Sequence, residues 1–209
     1  MARPRFSNLD EGTRRKILET AATEFAANGF EGTSLNRLIE GLGISKGSFY
    51  YYFDDKADLF CTVVDYTWQT MMPDRGLDLS ALDSDSYWSV IEGVMRETHA
   101  RVHDNPWLVG MGRLFYNPPD VPDIRAKLEE ILAGAREWQA ELIRRGQTIG
   151  VVRDDLPVDL LLALLVGADE AVDHWFVLNW NELDEGEIDR LFTEIFAILR
   201  RMMERPSAA

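Results

Sequence analysis

Apolar residues recur every three or four positions along most of this 209-residue chain, the period of helices that bury one side. From Thr13 to Asn28, the residues Ile17, Leu18, Ala21, Ala22 and Phe25 form one stripe, and Asn28-Gly29 marks its end because Gly29 tolerates a positive φ. Thr33-Ser34 supplies a cap for a second helix, Leu35 to Leu42, with Leu35, Leu38 and Ile39 inward. Gly43 makes a tight turn, and Ser45 caps a third, very short helix that ends at Tyr51 or Tyr52 and is anchored by Ile44 and Phe49. A fourth helix runs from Lys56 to about Met72, burying Leu59, Phe60, Val63, Val64, Trp68 and Met71, and Met72-Pro73-Asp74-Arg75-Gly76 breaks it.

After a polar loop at 77–84, five more helices are expected. Ser84 caps one to about His103, and Asn105-Pro106 starts a short one, Trp107 to Tyr116. Pro122 opens a long helix to about Arg145, closed by Gly146; residues 147–156 are a glycine-bearing loop. Pro157 opens a helix to about Asn181, and Asp184 opens the last, to about Arg205. Strand alternation and fixed-period repeats are missing. The fold class is all-α, about nine helices. Residues 1–10 read as a loose arm, 11–56 as a three-helix helix-turn-helix domain, 56–72 as a connector, and 73–209 as a larger helical domain.

Charge distribution sharpens this division. The net charge of −14 argues against a nucleic-acid partner until it is placed. Residues 1–56 carry eight basic and eight acidic side chains, so the whole excess lies in 57–209. An acidic remainder repels phosphates and would leave the neutral, locally basic end to meet DNA. No apolar run approaches the roughly 20 residues of a membrane span, and the start has no signal-peptide core, so no membrane association is expected. The single cysteine, Cys61, excludes an internal disulfide, fits a reducing cytoplasm and lacks a nearby base, so it reads as inert.

The chemistry concentrates at the third helix. Lys46 can reach a phosphate or a guanine edge, Gly47 allows close backbone approach, Ser48 can donate to base or phosphate, and Tyr50 and Tyr51 carry phenols. Three consecutive tyrosines cannot all be buried on one helix, so some ring must be exposed. Thr33 and Ser34 offer hydroxyls where the second helix starts, Ser45 opens the third, and Lys56 sits at a helix start that favours a phosphate. The strings Phe25-Ala26-Ala27-Asn28-Gly29-Phe30, Gly32-Thr33-Ser34-Leu35 and Gly43-Ile44-Ser45-Lys46-Gly47-Ser48-Phe49-Tyr50, with Phe53 and Lys56, resemble the tetracycline-repressor (TetR-like) family of bacterial transcription regulators over about residues 11–70. The resemblance implies DNA contacts at Thr33, Ser34, Ser45, Lys46, Gly47, Ser48, Tyr50, Tyr51 and Lys56. Asn36 stands where the family often has arginine, with Arg37 beside it; either could face the groove. Arg3 and Arg5 in the arm are read as part of a loose terminus, with minor-groove or phosphate contact as the alternative.

The larger domain yields two further expectations. The last two helices are apolar on more than one side, which fits a four-helix interface between two copies, and the resemblance implies the same pair. Leu161, Leu165, Phe192, Ile195, Leu199 and Met202 are the candidate interface residues. Large adaptable side chains, Trp68, Met72, Trp88, Met95, Trp107, Met111, Phe115, Trp138 and Trp175, are the candidate lining of a cavity for an unknown small apolar or aromatic effector. No metal or cofactor is expected: His99 and His103 are four apart but lack supporting ligands, and Asp169 and Asp173 read as a solvated stripe. No nucleophile-base pair or phosphate loop suggests an enzyme. The reading is a homodimeric, operator-binding regulator released by a small effector; its alternative is the same dimer controlled by a protein partner.

Overall fold

The computed structural model describes residues 3–72 and 77–206. They form ten α-helices: α1 (Pro4–Ser7), α2 (Glu11–Gly32), α3 (Leu35–Gly41), α4 (Lys46–Tyr52), α5 (Lys56–Met71), α6 (Tyr87–Asp104), α7 (Trp107–Tyr116), α8 (Pro122–Thr148), α9 (Val158–Asn179) and α10 (Glu185–Met203). Two short 3-10 turns, Leu79–Ala81 and Trp180–Glu182, accompany them, and extended backbone pairs in one isolated bridge among the described residues, Val152 with Glu204. The chain is all-α, as its periodicity predicts. Met72 closes α5; the rest of the expected break, Pro73 to Gly76, lies outside the described residues. No described helix is long and apolar enough to cross a membrane.

Two compact units emerge, residues 1–73 with 101–131, and residues 74–100 with 132–209. The expected boundary at 73 therefore captures only part of the division: α7 and the start of α8 belong with the helix-turn-helix. The reason is packing that the local pattern does not encode. A Cβ on Gly110 of α7 would stand 2.5 Å from the Cβ of Ala26 on α2, so the two helices approach as closely as glycine allows. Met111, Ile124, Leu128 and Ile131 then join Leu18, Phe25, Phe60 and Val63 in one core. In that core Phe60 meets Phe25 and Phe30 edge-on, at 4.9 and 5.3 Å.

The expectation of a loose arm at 1–10 fails for residues 3–7. Pro4 sits at the first turn of α1, and Phe6 is buried at 2% exposure. Asp10 caps α2 by accepting from the Thr13 N–H at 2.9 Å. Gly29, at φ 67°, interrupts α2 where the stop is expected. Asp55 accepts from the Asp58 N–H and Asp58 from the Asp54 N–H, a reciprocal cap on α5.

The second unit centres on Leu82, Tyr87, Leu142, Ile143, Val152, Leu161 and Met203. Asp83 rather than Ser84 organises the start of α6: its carboxylate takes the N–H groups of Asp85 and Ser86. Gly146 does not close α8, which runs on to Thr148. Gly146 is buried instead, and a Cβ there would stand 2.3 Å from Val152 Cγ2 and 2.7 Å from the Tyr87 hydroxyl. The positive φ that ends this segment belongs to Gly150, at 79°. Asp184 and Glu187 form a capping box on α10.

α9 carries one half-buried acid, Asp169. Gln139 Nε2 donates to Asp169 Oδ2 at 3.2 Å, and burial first, then the Asp173 charge, push the Asp169 carboxyl from 3.8 up to about 7. Asp169 is thus no solvated stripe residue. Between these two pKa values the folded chain keeps a proton that the unfolded chain has lost. Its stabilising effect is full below pH 3.8 and disappears as pH rises through about 7. Asp169→Asn should therefore stabilise the protein by on the order of 1–2 kcal/mol at pH 8, after allowance for water access, and far less at pH 4. Urea denaturation at both pH values checks this; an equal gain at both would refute the assignment.

Candidate DNA-binding site

α3 and α4 meet through a turn at Gly43, whose φ of 67° restricts it to glycine or a strained substitute. Ser45 caps α4: its Oγ accepts from the Ser48 N–H at 3.0 Å and lies 2.9 Å from the Ser48 hydroxyl. Phe49 and Phe53, both fully buried, fix the rotation of α4 about its axis. The opposite side is left to solvent. Lys46 and Gly47 are exposed there, Ser48 is half-buried, and Tyr50 and Tyr51 are 40% and 49% exposed. Two of the three tyrosines are thus presented outward, as the run of three requires. A Cβ on Gly47 would find only Ser45 Oγ, at 3.7 Å, and Gly47 has no positive φ. Nothing inside the protein demands glycine at this position.

On α3, Asn36 and Arg37 are both exposed, so each is available to a partner. Ser34 is exposed and its hydroxyl makes no capping bond. Two expected contacts point elsewhere. Thr33 is 3% exposed and its hydroxyl donates to the Gly29 carbonyl at 2.6 Å. Lys56 Nζ donates to the carbonyls of Phe30 and Thr33, at 2.6 and 3.0 Å, and lies 4.2 Å from the centroid of the Phe30 ring. Lys56 ties the α2–α3 turn to α5 and Thr33 closes the end of α2, so their side chains serve the shape of the site rather than its outer face. The cause is tertiary: the α2 carbonyls left open at Gly29 and beyond need donors, and these two supply them.

Arg3, expected in a loose terminus, is held in place, and Phe6 and Asp54, which the local pattern does not single out, help to hold it. Arg3 pairs with Asp54 and donates to the Tyr50 carbonyl at 2.7 Å. The available signal was Pro4 followed by Phe6, a helix-start proline beside an apolar anchor. Cys61 is buried, donates to the Asp123 carbonyl at 3.7 Å, and burial pushes its thiol up to about 11, so thiolate is scarce at neutral pH.

The second unit holds a cleft of about 230 Å³ between α6 and α10. Met95, Phe192 and Phe196 form its apolar surface; Arg96, His99 and Asp189 supply polarity. His99 Nε2 lies 3.2 Å from Asp189 Oδ1, and its ring packs on Phe192 at 4.1 Å. Of the nine expected pocket residues, Met95 lines this cleft. Trp68, Met111 and Phe115 belong to the first core, Trp107 stacks on Tyr66 at 5.8 Å, and Met72 ends α5. Trp88 and Trp138 pack on the second core, and Trp175 is 45% exposed on α9. Tryptophan and methionine content alone does not separate core from cavity.

The expected interface set also divides. Leu161 is fully buried and Leu199 is 8% exposed, so both serve the unit's own core; Leu165, Phe192, Ile195 and Met202 are half-buried. The apolar side chains left outward are Leu160, Leu164, Trp175 and Leu178 on α9 and Ile198 on α10.

Residues 17–62 match the family model for bacterial regulatory proteins of the tetR family. The chain is 29% identical over 162 residues to the HTH-type transcriptional repressor AcnR of Corynebacterium diphtheriae, covering 76% of this chain and 78% of that protein. It is 30% identical over 155 residues to the HTH-type transcriptional repressor Rv1474c of Mycobacterium tuberculosis, covering 73% and 75%. The fold also matches the transcriptional regulator FadR from Bacillus subtilis, solved in complex with stearoyl-CoA, with a TM-score of 0.74 at 17% identity over 88% of this chain and 96% of that one. A capped α4 with an outward lysine and phenols, the matched helix-turn-helix model and relatives aligned over most of their length agree: the chain belongs to the tetR family of DNA-binding transcriptional regulators.

Proposed function

We propose that this regulator is a homodimeric repressor that reads a two-fold operator with paired α3–α4 surfaces and lets go when a small effector binds in the second unit. The observation that carries this reading is the outward face of α4, with Lys46, Gly47, Tyr50 and Tyr51 mounted on buried Phe49 and Phe53. Asn36, Arg37 and Ser34 flank that face, and Ser45 and Ser48 fix the start of the reading helix. In this assignment 11–56 is the DNA-binding domain, and the protein sits on the nucleoid while bound.

Dimerisation is supported by Leu160, Leu164, Trp175 and Leu178, which recur on one side of α9 with exposed Gly167 and Ala171 in line between them. Small residues there let a second α9 approach closely, and isolated large apolar side chains on one stripe favour burial against a like surface. The effector reading is supported by the α6–α10 cleft, whose volume of about 230 Å³ lies just under the usual range for drug-sized ligands. Its phenyl rings suit a small apolar or aromatic molecule, and Arg96, His99 and Asp189 would orient a polar substituent. Release requires only that such a molecule prefer one state over the other by about 1–3 kcal/mol.

In vitro selection of a duplex from a randomised library should enrich an inverted repeat with half-sites about one helical turn apart. A library that enriches nothing at low salt would end the DNA-reading assignment. A single unrepeated half-site would end the two-fold one.

A further inference from the structure

α4 is seven residues long, too short to hold its shape without help at both ends. Ser45 serves the first end. At the other, the last carbonyls of a helix are left without intrahelical partners. Here Arg3 satisfies two of them. Its guanidinium donates to the Tyr50 carbonyl at 2.7 Å, and its backbone N–H donates to the Tyr52 carbonyl at 2.9 Å. The same guanidinium forks onto Asp54, with Nε 2.9 Å from Oδ1. Phe6 then locks the segment down, buried against Phe53 at 4.8 Å and Tyr52 at 6.0 Å. Arg5 lies 4.5 Å from the centroid of the Tyr51 ring, one of the two outward phenols.

Resting on the reading of α4 as the helix that meets DNA, we propose that residues 3–6 are a clamp on its C-terminal end, with Arg3 as a positioning residue for operator recognition and not a phosphate contact. The clamp fixes the pitch at which Tyr50 and Tyr51 are presented, and Asp54 holds the guanidinium in the orientation that reaches the Tyr50 carbonyl.

The two roles for Arg3 give opposite signs at Asp54. If Arg3 served as a phosphate contact, Asp54→Asn would release the cation and remove a nearby negative charge, so DNA binding would tighten. In the clamp, Asp54→Asn loosens α4 and binding weakens. The test uses the full-length protein and the duplex that the wild-type chain enriches from a randomised library, titrated across a series of salt concentrations. The clamp requires Arg3→Gln and Asp54→Asn each to lose about five- to tenfold in affinity, as expected for exposed hydrogen bonds to a charged group. It also requires the salt slope of Arg3→Gln to match wild type, whereas loss of a phosphate contact would lower that slope by about 0.9. Arg3→Lys, which keeps the charge but not the fork, should fall between wild type and Arg3→Gln. Circular dichroism establishes that each variant is folded at the assay temperature, and Arg3→Lys carries the test should Arg3→Gln unfold. Unchanged or tighter binding by Asp54→Asn, or a reduced salt slope for Arg3→Gln, overturns the clamp. Failure to enrich any duplex overturns the DNA-reading assignment itself, and is thereby distinguished from failure of the clamp alone.

Discussion

Replacing Gly47 with leucine will remove operator binding, by about a hundredfold or more, while leaving the fold intact or firmer. The two halves of this result have separate causes. Within the protein, Gly47 is an exposed position in an α-helix without a positive φ, and a Cβ placed there meets only Ser45 Oγ at ordinary contact distance. Leucine at such a site gains helix propensity, roughly 0.5–1 kcal/mol over glycine. Against DNA, on the proposed reading surface, the same side chain stands between Lys46 and Ser48, where the α4 backbone would come close to the duplex. Lys46→Ala gives a milder comparison: about a tenfold loss and a salt slope smaller by about 0.9, because one cationic contact is gone and nothing has been pushed away. Thermal unfolding and gel-shift titration of both variants measure the two halves separately. A Gly47→Leu protein that binds the selected duplex as well as wild type would remove α4 from the interface.

The helix-turn-helix was legible in the sequence because its determinants are local. Gly29 and Gly43 take the positive φ values that their turns need, Ser45 caps the helix it precedes, and Phe49 is inward at the expected period. Such features depend on neighbours within a few residues, which a linear pattern records. What failed depended on partners far along the chain. The inward turn of Lys56 is set by the open carbonyls of Phe30 and Thr33, 26 and 23 residues back; Thr33 is the exception, turned in by the Gly29 carbonyl four residues away. Arg3 finds its partners about fifty residues away, at Tyr50 and Asp54. Gly146 looks like a helix stop by residue type, but it is a close-packing site for Tyr87 and Val152. In α9, the uninterrupted apolar run from Leu160 to Ala168 fixes neither which side faces the unit's own core nor which faces outward, because a stretch apolar all round has no readable phase. The tryptophans and methionines fail for a related reason: both core and cavity favour large, soft side chains.

The phase of α9 sets up the other large effect. Leu164→Glu combined with Leu178→Glu will convert the protein to monomers and lower operator affinity by about a hundredfold or more, since each half-site must then be bound without its neighbour. Leu164 and Leu178 are 43% and 66% exposed, so glutamate at either costs little within a single chain. In the proposed two-fold dimer the new carboxylates would enter the interface, beside a segment that already holds eleven acidic residues and no lysine or arginine between 154 and 189. Leu161 offers the contrast. It is fully buried in the core of the second unit, so Leu161→Ala should cost about 2–5 kcal/mol of folding stability and leave the subunit count unchanged. Sedimentation equilibrium of the two variants separates interface from core. If the double glutamate variant remains a dimer, the outward stripe of α9 is not where the copies meet. If Leu161→Ala dissociates while still folded, the interface lies one helical side over, and the exposed leucines must be explained in some other way.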